Sequence, residues 1–406
     1  MLQEGTVERS RGRSDGLGTG LLEETLRYSR ERDYRGWDYC DGMSSLLLRG
    51  LPIENKWLNL VVQESAKRAP INIRPYLLVE QRRNYKGTAL FAMANRNAAR
   101  LFDEDRYEAE ATDLLDWLIE NRIEGYSGFC GGHRHYIQHL DRVGRPEDPD
   151  VVSTSYAVQA LLSGADLDER YPEAVRTTPE WIRNELQYTP HEDGTARMKY
   201  VPTHGDDYYT LNAVALGART LTDLGDHFED DELVEMARRL FDYVVSCQAD
   251  IGGWRYRDPP ESSHLSMDGH HNGFIVECLL RYGAATGSDR YRESLDRAST
   301  FYREVLFNDD GSPNWDEKRG YPKDIHAVSQ GILVFTALDD LEFAGRIVDW
   351  ALANLYGGGG RFYFRKQRFY TRRITLMRWC QAWMAYAISS YLLKREDPSS
   401  SPVCGL

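Results

Sequence analysis

The chain has 406 residues, a net charge of −13 and 41% hydrophobic residues, enough for a large core. The acidic balance, with no basic stripe, argues against nucleic acid, whose phosphates are neutralised by clustered Lys and Arg. No apolar run approaches the ~20 residues of a spanning helix, and six scattered cysteines without CxxC pairs read as a reduced, cytoplasmic protein.

Residues 1–30 are polar and Gly-rich at their start, lack the apolar stretch of a signal peptide, and read as a flexible N-terminal arm. Order is expected to begin at Trp37–Leu51, and Lys56–Ala69 reads as an outer helix. Pro70 and Pro75 keep the next link extended. Gly87–Phe102 follows as an inner helix, where Ala89, Ala92, Ala94, Ala98 and Ala99 permit close approach. The alternation then repeats. Outer helices are expected at Tyr107–Asn121, around Pro179, and at Asp231–Cys247, Asp289–Leu306 and Leu341–Leu355. Inner helices are expected at Val152–Leu162, Tyr208–Leu224, His271–Ala285, Ile325–Leu338 and Leu376–Lys394. Six polar, aromatic, Gly-rich stretches run into the six inner helices, near Lys86, Ser153, Tyr208, His270, Asp324 and Met377. A two-helix unit repeated about every 55–65 residues covers its own apolar face only by stacking on its neighbours. The expected fold is therefore all-α: one (α/α)6 toroid over residues 31–395, with short β-hairpins in the rim loops and a flexible tail over 396–406.

This arrangement brings all the rim stretches to one end. Aromatic residues are 12% of the chain, and its 25 tyrosines offer apolar faces with polar tips, suited to sugar stacking. The segment Arg372, Arg373, then Met377–Met384 puts Arg378, Trp379 and Gln381 at the start of an inner helix. An Arg there can hold a carboxylate through two parallel hydrogen bonds, whereas Trp383, four residues after Trp379, reads as core. His204, Tyr208 and Tyr209 open the third inner helix, His270 and His271 the fourth, and Tyr321 and His326 the fifth. Asp207, Asp268 and Asp324 read equally as helix caps or as catalysts. Cys130–His135 with His139 does not match a zinc spacing. The stretch reads as a substrate loop, and no metal is expected.

Gln248-x-x-x-Gly252-x-Trp254 resembles the link motif of the squalene cyclase and prenyltransferase α/α toroids, but their D-x-D-D acid motif is missing. Asn72–Pro75, Asn84–Gly87, Trp37–Ser45 and the Arg378-Trp379-x-Gln381-Ala382-Trp383 segment resemble α/α-toroid proteins of surface-polysaccharide biosynthesis. The last of these is also similar to the α/α domain of D-glucuronyl C5-epimerases, whose last helix carries an Arg-Trp pair. The chain lacks the β-rich domains of the animal enzymes.

The resemblance implies a uronyl C5-epimerase acting on a glucuronic-acid-containing oligo- or polysaccharide, without a redox cofactor and possibly as a homodimer. Removing a proton α to a carboxylate needs a base on one face, a donor on the other, and positive charge on the carboxylate. Tyr209, His270, His271 and Tyr321 are the base and acid candidates, with their order open. Arg378, with Arg372 or Arg74, would clamp the carboxylate. Tyr39, Asp41, His204, Tyr208, Trp254, His326, Trp379 and Gln381 would bind sugar. A hydrolase would instead need two carboxylates at a set separation, with Asp41, Asp207, Asp268 and Asp324 available. A polysaccharide lyase would use nearly the epimerase set, and a non-catalytic glycan-binding toroid remains the third reading.

Overall fold

The computed structural model describes residues 19–51, 55–139, 142–203, 205 and 207–399. In chain order the helices are α1 (19–30), α2 (Leu46–Arg49), α3 (Lys56–Arg68), α4 (Tyr85–Phe102), α5 (Asp105–Glu120), α6 (Val151–Leu162), α7 (Arg170–Val175), α8 (Thr178–Asn184), α9 (Leu211–Phe228), α10 (Asp231–Ser246), α11 (Gly269–Thr286), α12 (Arg292–Glu304), α13 (Ile325–Ala337), α14 (Leu341–Asn354) and α15 (Trp383–Glu396). A π-helical segment, Met377–Ala382, leads into α15.

Helices α4, α6, α9, α11, α13 and α15 pack side by side in that order, and α15 returns to α4, closing an inner ring. These helices are buried nearly all round. Every residue of α6 is buried, and Ala89, Ala92, Ala94 and Ala98 of α4 let its neighbours approach closely. The outer helices are amphipathic. In α10, Leu233, Met236, Ala237, Leu240, Phe241 and Val244 fall on one stripe and are buried. This is an all-α (α/α)6 toroid with short antiparallel hairpins in its loops. No helix among the described residues is long and apolar enough to cross a membrane.

The outer ring is completed differently from the sequence expectation. The sixth outer helix is α1, which the sequence suggested was part of a flexible arm; residues 1–18 lie outside the described residues. Leu22 and Leu26 of α1 are buried. Glu23 pairs with Arg106 of α5, and Glu24 accepts from Tyr356 just beyond α14, so α1 bridges the two outer helices flanking the gap. Helix α3, expected in that place, lies on the rim against the 3-10 turn Asp41–Ser44 and strand β1 (Ile137–Gln138), with Trp57 and Val61 exposed. Its apolar residues never form one continuous buried stripe, whereas the Leu21–Leu22–Leu26 pattern of α1 does.

All the inner helices begin at the same end. Asn84, Asp150, Asp268 and Asp324 cap α4, α6, α11 and α13 by accepting from backbone N–H groups, each cap worth about 1 kcal/mol. Short pairings tie the rim loops together there: β5 (Tyr209–Thr210) with β6 (Arg257–Asp258), and β7 (Lys323–Asp324) with β8 (Arg365–Lys366) and β9 (Thr371–Arg372). The Gln248–Trp254 motif is structural. Gln248 donates to the Gly252 and Ser294 carbonyls, and Gly252, at φ +95°, lies so close to the Arg297 carbonyl that any Cβ would collide with it.

Candidate active site

One side of the mouth is a wall of completed ion pairs. Arg378 Nε and Nη2 donate to the two oxygens of Asp38 at 2.7 and 2.6 Å. Both residues are buried. Burial opposes ionisation of Asp38, and Arg378 outweighs it, holding the carboxyl well below the usual range. Beside this pair, Arg74 donates to Asp41 at 2.7 Å and to the Ala66 and Asp38 carbonyls. Farther round, Arg365 donates to Asp324 Oδ2 at 2.7 Å, and the Trp379 indole N–H donates to Asp324 Oδ1 at 2.8 Å. Tyr39 stacks on Trp379 with ring centroids 4.3 Å apart. A buried guanidinium without a counter-charge is costly, so the sequence supplies each arginine with an acid.

The opposite side is built around one carboxylate and three imidazoles. Asp268 caps α11 by accepting from the His271 backbone N–H at 2.9 Å. Its Oδ2 lies 2.6 Å from His271 Nδ1, and its Oδ1 lies 3.0 Å from His270 Nδ1. A carboxylate only accepts, so His271 carries its proton on Nδ1 and its Nε2 is left as an acceptor. The His326 ring stacks on His270 at 4.7 Å and lies 4.5 Å from both Trp379 and Trp383. His326 is 1% exposed, and neither of its ring nitrogens has a hydrogen-bond partner among the described residues. Burial lowers His270 to about 3, against the pull of Asp268, and keeps His326 far below the usual imidazole range. Asp268, His270 and His271 bring three donor atoms within 4.8 Å, the one such group among the described residues. These residues could hold a divalent cation, although in this arrangement both Nδ1 atoms already face the carboxylate.

Lys86, in the first turn of α4, completes the floor. It is 5% exposed and makes no hydrogen bond or ion pair to any described residue. Its ammonium lies 5.9 Å from the Tyr156 ring and 5.8 Å from the Trp383 ring. Burial, reinforced by Arg378, lowers its pKa to about 7. In the order of the inner ring α4 stands diametrically across from α11. A second imidazole pair flanks Lys86. His133 Nε2 lies 3.9 Å from Asp150, and His135 Nδ1 donates to the His133 carbonyl at 2.9 Å. His133 is lowered to about 4 by burial, opposed by Asp150.

The structure brings His270, His271, His326, Trp379, Tyr39 and Arg378 together at the mouth, as expected from the sequence, but several expected roles do not fit. Trp254 cannot stack on sugar: it is buried and donates to the Val244 carbonyl at 2.8 Å. Gln381 is buried and spans the Phe362 N–H and the Gly360 carbonyl. Arg372 donates to the Lys67 and Ala69 carbonyls, while Arg74 and Asp41 neutralise each other. None of these four polar groups is free to hold substrate. Tyr209 turns from the imidazoles toward Tyr243, because alternate residues of a strand face opposite ways. Tyr208 packs on Arg257, with the guanidinium 3.6 Å from its ring. Tyr321 is 40% exposed beside Lys323. His204 lies outside the described residues. Arg378 is not a free fork, since only Nη1 is left unbonded to described residues.

Sequence reasoning missed Lys86, Asp38 and Tyr256. Tyr256 puts its ring 4.6 Å from His271 and is raised to about 12 by burial. It sits in the Gly252–His264 rim stretch, so the alternation of aromatic and charged residues pointed to the segment but not to the residue.

No family model and no curated protein sequence matches the chain. Solved structures do match in fold. A cellobiose 2-epimerase from Bacillus thermoamylovorans aligns with TM-score 0.62 and 14% identity, covering 77% of this chain and 88% of its own. A GH76 α-mannanase from Bacteroides thetaiotaomicron aligns with TM-score 0.59 and 11% identity over 78% and 88% of the two chains. A polysaccharide lyase aligns with TM-score 0.59 and 9% identity over 95% and 99%. At these identities the shared feature is the architecture, and the chain has the α/α-toroid fold of these structures.

Proposed function

We propose that the protein is a carbohydrate epimerase that moves a proton on carbon, and that the sugar it acts on is a uronate, altered at C5. The observation that carries this is the pairing across the ring of the Asp268-oriented imidazoles on α11 with Lys86 on α4. Epimerisation needs proton-transferring groups on both faces of one carbon. His271, with its Nε2 lone pair set by Asp268, serves as base. Lys86, lowered to about 7, returns the proton from the opposite wall. The free Nη1 of Arg378 donates to the substrate carboxylate as enolate-like charge develops. Trp379 and Tyr39 supply the stacking face.

Hydrolysis is less well supported, because it needs a protonated and an ionised carboxyl flanking the bond. Asp38, Asp268 and Asp324 are all committed to ion pairs or caps. Enzymes sharing the fold include an epimerase, a mannanase and a lyase, which supports carbohydrate chemistry without choosing among these.

The test is incubation of the protein with a glucuronate-containing polysaccharide in D2O, followed by proton NMR. Loss of the C5 proton signal with new iduronate resonances is the expected result. Unsaturated ends would make it a lyase, and new reducing ends a hydrolase. Exchange only at C2 of a neutral reducing disaccharide would keep the proton-transfer chemistry and overturn the uronate assignment.

A further inference from the structure

The acidic surface of this protein is interrupted by one concave patch of arginines. A cleft of about 370 Å³ is lined by Arg35, Arg82, Arg83 and Arg134 around Trp117 and Asn121. That volume falls within the ~300–1,000 Å³ of small-molecule sites. Asp33 is shared by Arg35 and Arg83, and Glu80 by Arg82 and Arg49. Arg134 has no carboxylate partner among the described residues; it donates only to the Asn121 carbonyl, at 2.5 Å. Five guanidinium groups therefore face two carboxylates on a chain of net charge −13.

These groups are held in place. The guanidinium carbons of Arg83 and Arg134 each lie 5.8 Å from the Trp117 ring, a cation–π arrangement that limits their rotamers. Arg82 donates to the Arg134 carbonyl at 3.3 Å. Arg134 itself sits at φ +59°, in the left-handed region, and it stands between His133 and His135. This one segment thus presents a part-buried imidazole, His133, and a buried one, His135, to the mouth and a guanidinium to the cleft. A non-glycine residue in that conformation is sterically strained.

We infer that the Arg35–Arg82–Arg83–Arg134 cleft is a second carbohydrate site, which binds an acidic sugar residue of the same chain whose other residue occupies the mouth. Guanidinium groups match carboxylates in planar geometry, and a site one segment away from the mouth favours a polymer over a monosaccharide. The inference rests on the uronate reading for its ligand but not on turnover.

The experiment is hydrogen–deuterium exchange on the full chain with a glucuronate-containing hexasaccharide, and with a neutral glucan hexasaccharide as control. Protection at residues 81–83, 117–121 and 134 together with the mouth segments at 268–271 and 326 is the expected result with the acidic ligand alone. Protection at the cleft only would leave it an acidic-sugar site but overturn the inference that one glycan spans cleft and mouth, together with the uronate reading of the mouth. Protection at the mouth only would keep the uronate reading and overturn the cleft as a sugar site, and equal protection by the neutral glucan would overturn the acidic specificity. Arg134→Gln should weaken hexasaccharide binding about tenfold while leaving turnover of a disaccharide unchanged. Arg35→Gln, at a side chain 62% exposed and bonded only to Asp33, gives the same reading if Arg134→Gln folds poorly. Undiminished affinity in both variants would sink the proposal.

Discussion

The two sides of the mouth treat their polar groups in opposite ways. In the wall formed by residues 36–84, Asp324 and residues 365–381, the buried acids are matched, Asp38 by Arg378, Asp41 by Arg74 and Asp324 by Arg365, and buried Arg372 is satisfied by backbone carbonyls. On α11 and α13, and across the ring from α11 on the first turn of α4, the His326 ring has no hydrogen-bond partner and Lys86 no paired anion among the described residues, and two imidazoles share Asp268. Lys86 and His326 are as buried as the residues of the matched wall, so burial alone does not tell the two apart. Satisfied groups hold shape, and unsatisfied ones are free to exchange protons or to bond a ligand. The matched wall is scaffold with one spare donor, and the unmatched floor carries the chemistry.

The largest test of this contrast is catalytic. His271→Ala should lower turnover by about 10²–10⁴ while changing stability by less than about 1 kcal/mol, because the Asp268 cap survives; parallel kinetics and urea unfolding check both. Arg378→Met should differ by destabilising the fold as well as slowing turnover, by roughly 3–5 kcal/mol, since it strands Asp38 as an unpaired buried charge. Adding Asp38→Asn should recover part of that loss. If Arg378→Met folds normally and only raises KM, the wall is a binding surface and the contrast fails.

Lys86→Met comes next, with activity lost but stability gained by about 1–3 kcal/mol near pH 7. The sign follows from linkage. The folded pKa of about 7 lies below the ~10.4 of an unfolded lysine, so between these values the unfolded chain binds the extra proton and stability rises with pH. The variant should flatten that rise in melting temperature between pH 7 and pH 10. His270 at about 3 and His133 at about 4 act in the same direction at lower pH. From ~6.5 downward the unfolded histidines take up protons first, and stability falls as the solution is acidified. His133→Asn should reduce that slope. The smallest effect is expected for His326→Phe, which removes two unpartnered nitrogens from an aromatic stack and should raise the melting temperature by a few degrees.

The inner ring was legible in the sequence because its signal is local. Small residues, apolar faces and preceding cap residues place α4, α6, α11 and α13 within a few positions of where they lie. The outer helix α1 was obscured because a charged, Gly-rich lead precedes it and only three leucines mark its buried face. The roles of the arginines were not legible at all. Arg378 looks free in its own segment, and its partner Asp38 lies 340 residues away. The pairing of α11 with α4 across the ring is likewise a property of closure and not of any one repeat.

Closure through α1 also bears on how the chain folds. In an open solenoid each unit contacts only its neighbours, so an end unit can fray while the rest persists. Here α1 meets α5 on one side and the segment after α14 on the other, so the first described helix and the last helical pair share a seam. Such contacts between sequence-distant segments raise contact order and slow folding. A chain trimmed of α1 would keep the inner ring, which α15 and α4 close directly, but would lose the outer contact that ties α5 to the segment after α14.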